Sequence, residues 1–164
     1  MVLDVKRVIN TPGGRIPFEF SEDFSDVDFG GVCPAFRPVL VVGQMQNIAG
    51  MLRLQMELST TLSSVCDRCG TQFDSAFQHS FECMLAEELE GEENDEILLL
   101  DNDTVDLSEL AREAFILNMP TKTLCREDCK GLCSGCGANL NVEKCRCRKE
   151  VDPRLASLAK LLEQ

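Results

Sequence analysis

Residues 51–64 read Met-Leu-Arg-Leu-Gln-Met-Glu-Leu-Ser-Thr-Thr-Leu-Ser-Ser, with Leu52, Leu54, Met56, Leu58 and Leu62 on one parity and Arg53, Gln55 and Glu57 on the other. Side chains alternate across a strand, so this pattern predicts a strand with one buried face. Residues 73–85 repeat it: Phe73, Phe77, Phe81, Cys83 and Leu85 alternate with Asp74, Gln78 and Glu82. The phenylalanines are also four apart, as on a helix face, but the preceding strand and the short turn between the two runs favour a hairpin. Outward from this pair, Val39–Val42 predicts a further strand, linked to residue 51 by a polar stretch ending in Asn47-Ile48-Ala49-Gly50. Asp106-Leu107-Ser108-Glu109 has the form of an N-cap with an acid three residues on, opening a helix through Leu107, Leu110, Ala114 and Leu117 that Pro120 stops. Asp152-Pro153 sets a cap and a first-turn proline before a last amphipathic helix bearing Leu155, Leu158 and Leu162. The expected fold is α+β: an antiparallel β-sheet body with a few helices and a cysteine-rich, zinc-binding C-terminal segment.

The chain has 164 residues and a mass of 18.2 kDa, with 44% apolar and 27% charged residues, the balance of a globular protein able to fold on its own core. Met1-Val2-Leu3-Asp4-Val5-Lys6 lacks the basic and apolar regions of a signal peptide, and the longest aliphatic runs, Val39–Val42 and Ile97–Leu100, are four residues. The expectation is a cytoplasmic protein with no membrane partner. A net charge of −12 argues against a main grip by non-specific attraction to nucleic acid or anionic lipid. The charge is uneven. Residues 120–164 hold nine Lys/Arg against six Asp/Glu, a net of +3, which leaves −15 on residues 1–119. Seven acids fall within the ten residues from Glu87 to Glu96, a run best read as a solvated loop. Two parts are expected: an acidic α+β body over residues 1–119, and a cysteine-rich segment with a terminal helix over residues 120–164.

Ten cysteines are the outlier. In a reducing compartment such a number points to metal or redox chemistry before structural disulfides. Cys133-Ser134-Gly135-Cys136-Gly137 has the form of a metal knuckle: two thiolates converge on one ion, and glycine permits the tight turn. Cys66-Asp67-Arg68-Cys69-Gly70 has the same form and falls where the two long strands turn back. With Cys125, Cys129, Cys145 and Cys147 these make four close pairs, enough for two four-cysteine sites and so for two zinc ions per chain. Cys33 and Cys83 are left over, most simply as small buried residues. Zinc is the default for tetrahedral thiolate sets. A closed site of this kind is structural, because no position is open to water.

Leu117-Asn118-Met119-Pro120, the string from Cys125 to Asn141, Cys145-Arg146-Cys147 and Asp152-Pro153-Arg154-Leu155 resemble the C-terminal signature of the YceD family, the large ribosomal RNA subunit accumulation proteins. Val65-Cys66-Asp67-Arg68-Cys69 ahead of Phe73, and Val105-Asp106-Leu107-Ser108-Glu109-Leu110, resemble its middle part. The resemblance runs from about Val39 to the end; Ser134 stands where the family often has proline. It implies a protein needed for accumulation of large-subunit ribosomal RNA. It also implies a grouping, because some members keep the middle pair and a Cys or His pair near positions 125 and 129 but lack the later four cysteines. Cys66, Cys69, Cys125 and Cys129 would then form one site, and Cys133, Cys136, Cys145 and Cys147 the other.

The leading functional expectation is a non-enzymatic zinc-binding factor in ribosome biogenesis, with pre-ribosomal RNA or large-subunit assembly proteins as partners and no small-molecule substrate. Contact would run through Lys122, Arg126, Lys130, Lys144, Arg146, Arg148 and Lys149, or through a protein partner. The competing expectation is a thiol redox or metal-sensing protein using Cys66 and Cys69. A hydrolase or nuclease ranks last: there is no P-loop, no dinucleotide fingerprint and no His-Glu-x-x-His, and the single histidine, His79, falls in a strand-like run.

Overall fold

The computed structural model describes residues 1–29, 34–86, 97–100 and 102–147. Chain order is β1 (Val2–Asp4), α1 (Lys6–Ile9), β2 (Arg15–Glu22), β3 (Val39–Ile48), β4 (Met51–Val65), β5 (Gln72–Ala86), β6 (Ile97–Leu99), β7 (Thr104–Asp106) and α2 (Leu107–Leu117). Strands β2-β3-β4-β5-β6 form one sheet in that order, and β1 and β7 form a second, two-stranded one. The hairpin reading of residues 51–85 holds: β4 and β5 pair antiparallel from Leu52↔Leu85 to Val65↔Gln72. Leu52, Leu54, Met56, Leu58, Leu62 and Ser64 of β4 and Phe77 and Leu85 of β5 are buried, as their alternation requires. The three strands expected to form an antiparallel sheet, β3, β4 and β5, do so. The sheet is extended by a strand the sequence reading did not include, β6, which runs parallel to β5, with Met84↔Ile97 and Ala86↔Leu99. A parallel neighbour needs a long return connection rather than a tight turn, and the ten residues between Ala86 and Ile97 supply one. The acidic run falls in that connection and, like the expected helix after Pro153 and Cys33, lies outside the described residues.

The polar stretch after Val42 is strand and not connection. Gln44 and Gln46 continue β3 on its outward face, and only Ala49 and Gly50 form the turn, with φ of 53° and 96°. Those positive values are what a two-residue turn matched to strand twist demands. Asn47, 2% exposed, points inward: its Nδ2 donates to the carbonyls of Val8 and Ile9 at 2.8 and 2.7 Å, and its Oδ1 accepts from Gly50 N. That polar plug ties α1 to the sheet.

One face of the sheet is covered. Phe115 of α2, fully buried, meets Phe24, Phe29 and Phe77 at ring-centroid distances of 5.3, 6.4 and 5.1 Å. Helix α2 starts where the sequence places it: the Asp106 carboxylate accepts from Ser108 N and Glu109 N, and Asn118 ends it before Pro120. The opposite sheet face is polar, with Arg53 and Gln55 donating to Glu82 across β4 and β5. Among the described residues no helix is long and apolar enough to cross a membrane. Phe115→Ala should destabilise the chain by about 3–5 kcal/mol in denaturant unfolding, the cost of a large core cavity. Ile116→Ala, at a position 41% exposed on the same helix, should cost far less. Equal losses for the two would contradict this assignment of the core.

Candidate metal centres

The β4–β5 hairpin ends in the first knuckle. Cys66 N donates to Thr71 O at 2.9 Å and Gly70 N donates to Cys66 O at 2.8 Å. The second knuckle repeats the pattern: Cys133 N donates to Ala138 O at 2.8 Å and Gly137 N to Cys133 O at 2.9 Å. Gly70 and Gly137 hold φ of 68° and 70°, so the glycine after each second cysteine is needed for its left-handed backbone. The two five-residue motifs are thus one structural device used twice.

Each knuckle meets a second pair of cysteines. The sulfurs of Cys66, Cys69, Cys125 and Cys129 all lie within 4.8 Å of one another, and so do those of Cys133, Cys136, Cys145 and Cys147. In the first group Cys66 Sγ is 3.8 Å from Cys129 Sγ and Cys69 Sγ is 3.7 Å from Cys125 Sγ. In the second, Cys133 Sγ is 3.3 Å from Cys145 Sγ and 3.7 Å from Cys147 Sγ. A disulfide needs about 2.05 Å, and none of the described cysteines is bonded. Four sulfurs around one ion at about 2.3 Å span tetrahedral edges of about 3.8 Å. Both groups therefore have the dimensions to hold a metal ion.

Their protonation chemistry points the same way. Backbone N–H groups of Cys125, Cys69 and Arg68 aimed at Cys66 bring its thiol down to about 6 against the cost of burial. Those of Cys136 and Gly135 do the same for Cys133. Burial, then the neighbouring thiols, push Cys125 up to about 12, and hydrogen bonds with its three fellow thiols push Cys147 as high. Each group thus favours thiolate at its Cys-x-x-Cys pair and disfavours it at a cysteine of the other pair; a bound cation would favour thiolate at all four.

The first centre is buried and braced. Cys66, Cys69 and Cys129 are 1%, 6% and 3% exposed. Asp67 N donates to Thr123 O at 2.9 Å while Thr123 N donates back to the Asp67 carboxylate at 2.6 Å, and the Thr123 hydroxyl donates to Val65 O. Arg68 Nη1 donates to Cys129 O at 2.9 Å, and Arg68 O accepts from Leu132 N. The hairpin tip therefore holds both the segment that brings Cys125 and Cys129 and the start of the second knuckle. Asn141 is the hub between the centres: Nδ2 donates to Cys129 Sγ at 3.3 Å, and Oδ1 accepts from Lys130 N and Arg126 Nη2 at 2.8 Å each. The second centre is more open, with Cys136, Cys145 and Cys147 exposed. Thr123, Arg68 and Asn141 were not singled out by sequence reading, since polar residues in a loop carry no periodic signal.

Of the remaining candidates, Cys83 is half-buried against the main core, where burial pushes its thiol up to about 11. His79 sits in β5 opposite Leu58. Of the candidate bases, Arg126 is held by Asp128 and Asn141, and Arg146 by Glu143. Lys122, Lys130 and Lys144 are exposed, and Arg148 and Lys149 lie outside the described residues.

Comparison with known proteins adds a family. Residues 54–162 match the family model described as large ribosomal RNA subunit accumulation protein YceD. An Arabidopsis thaliana protein named large ribosomal RNA subunit accumulation protein YCED homolog 1, chloroplastic, is 30% identical over 163 residues, covering 80% of this chain and 50% of that protein. A Mycobacterium tuberculosis protein is 37% identical over 70 residues, 43% of this chain and 34% of the relative. YlbN of Bacillus subtilis is 28% identical over 130 residues, 77% and 76% of the two chains. The chain thus spans a third to a half of the length of the mycobacterial and plant relatives. No solved structure matches it.

Asn141→Ala should leave the sheet intact and weaken metal retention at the first centre by roughly ten- to a hundredfold, as loss of a hydrogen bond to a ligand does. Competition with a chromophoric chelator reads this directly. Unchanged release of every ion would remove Asn141 from the bracing scheme.

Proposed function

The chain belongs to the family of large ribosomal RNA subunit accumulation protein YceD, and from that membership we propose that it is a non-enzymatic zinc-binding factor in ribosome biogenesis. Its role would be to support accumulation or processing of large-subunit ribosomal RNA, in the cytoplasm, through pre-ribosomal RNA or a large-subunit assembly protein. The observation that carries the metal part is the pair of four-cysteine groups with single-ion dimensions, Cys66/Cys69/Cys125/Cys129 and Cys133/Cys136/Cys145/Cys147. Four protein ligands would leave no open coordination position, which suits a structural ion and not a hydrolytic one. A multi-iron cluster interposes several metals and sulfides between its cysteines and would space them more widely than one shared ion does. Zinc, one ion per group, is the metal the donor set favours.

Four thiolates and a zinc ion carry about −2 together, so two such centres offset the excess of bases in the C-terminal segment. That segment is accordingly a modest lure for RNA, with Lys122, Lys130 and Lys144 as its uncommitted described cations. A redox or metal-sensing role for Cys66 and Cys69 has one feature in its favour, the lowered Cys66 thiol. Against it, Cys66 is 1% exposed, and a redox thiol must be reached by its reactant.

The metal would organise the segment after Pro120. Between Thr121 and Val151 the large aliphatics are Leu124, Leu132, Leu140 and Val142, and Leu132 and Val142 are 48% and 84% exposed. Ordering each residue costs about 1–2 kcal/mol, whereas a structural zinc supplies about 10 kcal/mol or more. Cys133→Ser should therefore open the chain after Pro120 to limited proteolysis while β2–β5 stay protected, and cells carrying it should accumulate less mature large-subunit ribosomal RNA. Wild-type cleavage together with wild-type ribosome profiles would mean that the second centre neither organises the segment nor serves the function.

A further inference from the structure

Strand β5 is 15 residues long, but β6 pairs only with its last three, Met84–Ala86. From Gln72 to Cys83 the edge facing away from β4 meets no backbone partner among the described residues. Twelve residues of strand span about 40 Å, a long row of unpaired N–H and C=O groups. Native sheets usually blunt such edges with lysine, proline or a bulge; this stretch contains neither lysine nor proline. Its charged side chains are Asp74 and Glu82, both exposed.

At the end of this open edge, in line with β6, lies a recess of about 490 Å³ whose apolar walls are Phe81, Cys83, Leu98 and Leu110. Glu113 of α2 stands on its rim. Neither Asp74 nor Glu113 has an ion-pair partner among the described residues.

We infer that the open edge of β5 is a docking site for an extended, lysine- and arginine-rich segment of a protein partner. The segment adds as a strand alongside Gln72–Cys83, seats one apolar side chain in the Phe81/Cys83/Leu98/Leu110 recess, and sets its bases against Asp74 and Glu113. Backbone pairing gives the affinity and the side-chain positions give the selectivity, as in other strand additions. Charge decides among the occupants. Two β5 edges pairing antiparallel about Gln78 would oppose Asp74 to Glu82, and like charges directly opposite are destabilising, so a second copy is disfavoured. RNA is repelled by the same carboxylates. A cationic polypeptide meets no such barrier. The inference deepens the proposed role in ribosome biogenesis by naming the class of partner, and rests on that reading only for the partner's setting.

The test is amide hydrogen exchange on the full, metal-loaded chain with a synthetic peptide of repeated Lys-Lys-Val-Val, which presents both lysine and valine on each face of an added strand. The control peptide has the same side chains, with alternate backbone nitrogens methylated so that it cannot pair. The expected result is exchange slowed at least tenfold at β5 amides between Gln72 and Cys83 with the first peptide and unchanged with the second. Asp74→Lys/Glu113→Lys, at exposed positions, should weaken that binding at least tenfold. Equal binding of both peptides, or no protection at millimolar peptide, overturns the proposal. So does protection already present in the free chain and lost on removing residues 148–164, which would mean that the chain covers its own edge. Protection of the same amides by a ribosomal RNA fragment in place of the peptide would assign the edge to nucleic acid and overturn it too. The peptide measurement is independent of ribosomal RNA levels in depleted cells, so this inference and the broader functional reading fail separately.

Discussion

The tip of the β4–β5 hairpin is the constraint on which the segment after Pro120 depends. Two long strands, in register over fourteen residue pairs from Leu52↔Leu85 to Val65↔Gln72, deliver Cys66 and Cys69 to one point at the end of the sheet. The reciprocal Asp67–Thr123 bonds and the Arg68 contacts with Cys129 and Leu132 then fix the chain that follows α2 against that point. A rigid hairpin is a good anchor because its register is set by the buried parity of Leu52 to Leu62, and a one-residue slip would expose that whole set. The irregular segment after Pro120 has no such pattern. It takes its shape from what it is tied to.

The two cysteine groups form a chain of dependence. The first joins sheet to segment and is buried. The second lies wholly within the segment, exposed, and connects to the first through Asn141 and through Leu132 N on Arg68 O. Repetition of the same knuckle hydrogen bonds at Cys66 and Cys133 means that one local solution, a tight turn whose amides face a sulfur, serves both ends of the arrangement. The difference in burial gives the two centres different exposures to chelators and oxidants, with Cys136, Cys145 and Cys147 the accessible side.

Much of this was legible in the residues, and the illegible parts have physical reasons. The parity of residues 51–64 and 73–85 marks β4 and β5 because each strand has one dry face and one wet face. The second half of β3 escapes, since Gln44 and Gln46 point outward and the inward Asn47 is polar, satisfied by Val8 and Ile9 carbonyls that no local pattern foretells. In β2, Ile16, Phe18 and Phe20 do alternate, but Pro17 interrupts the run; as an edge strand it tolerates a proline. Strands β1, β6 and β7 are three residues each, too short for a period to register. Cysteine spacing marks the knuckles, whereas Arg68, Thr123 and Asn141 act across loops, through backbone groups that sequence does not display.

Each of the two groups of four cysteines is proposed to hold one ion. Native mass spectrometry of the full chain, purified without chelator, tests it most directly. The expected mass is that of the chain plus two zinc ions, with all eight ligand thiols unreactive until the metal is stripped. A chain carrying a single ion, or one without metal and lighter by the hydrogens lost to disulfides, would contradict it.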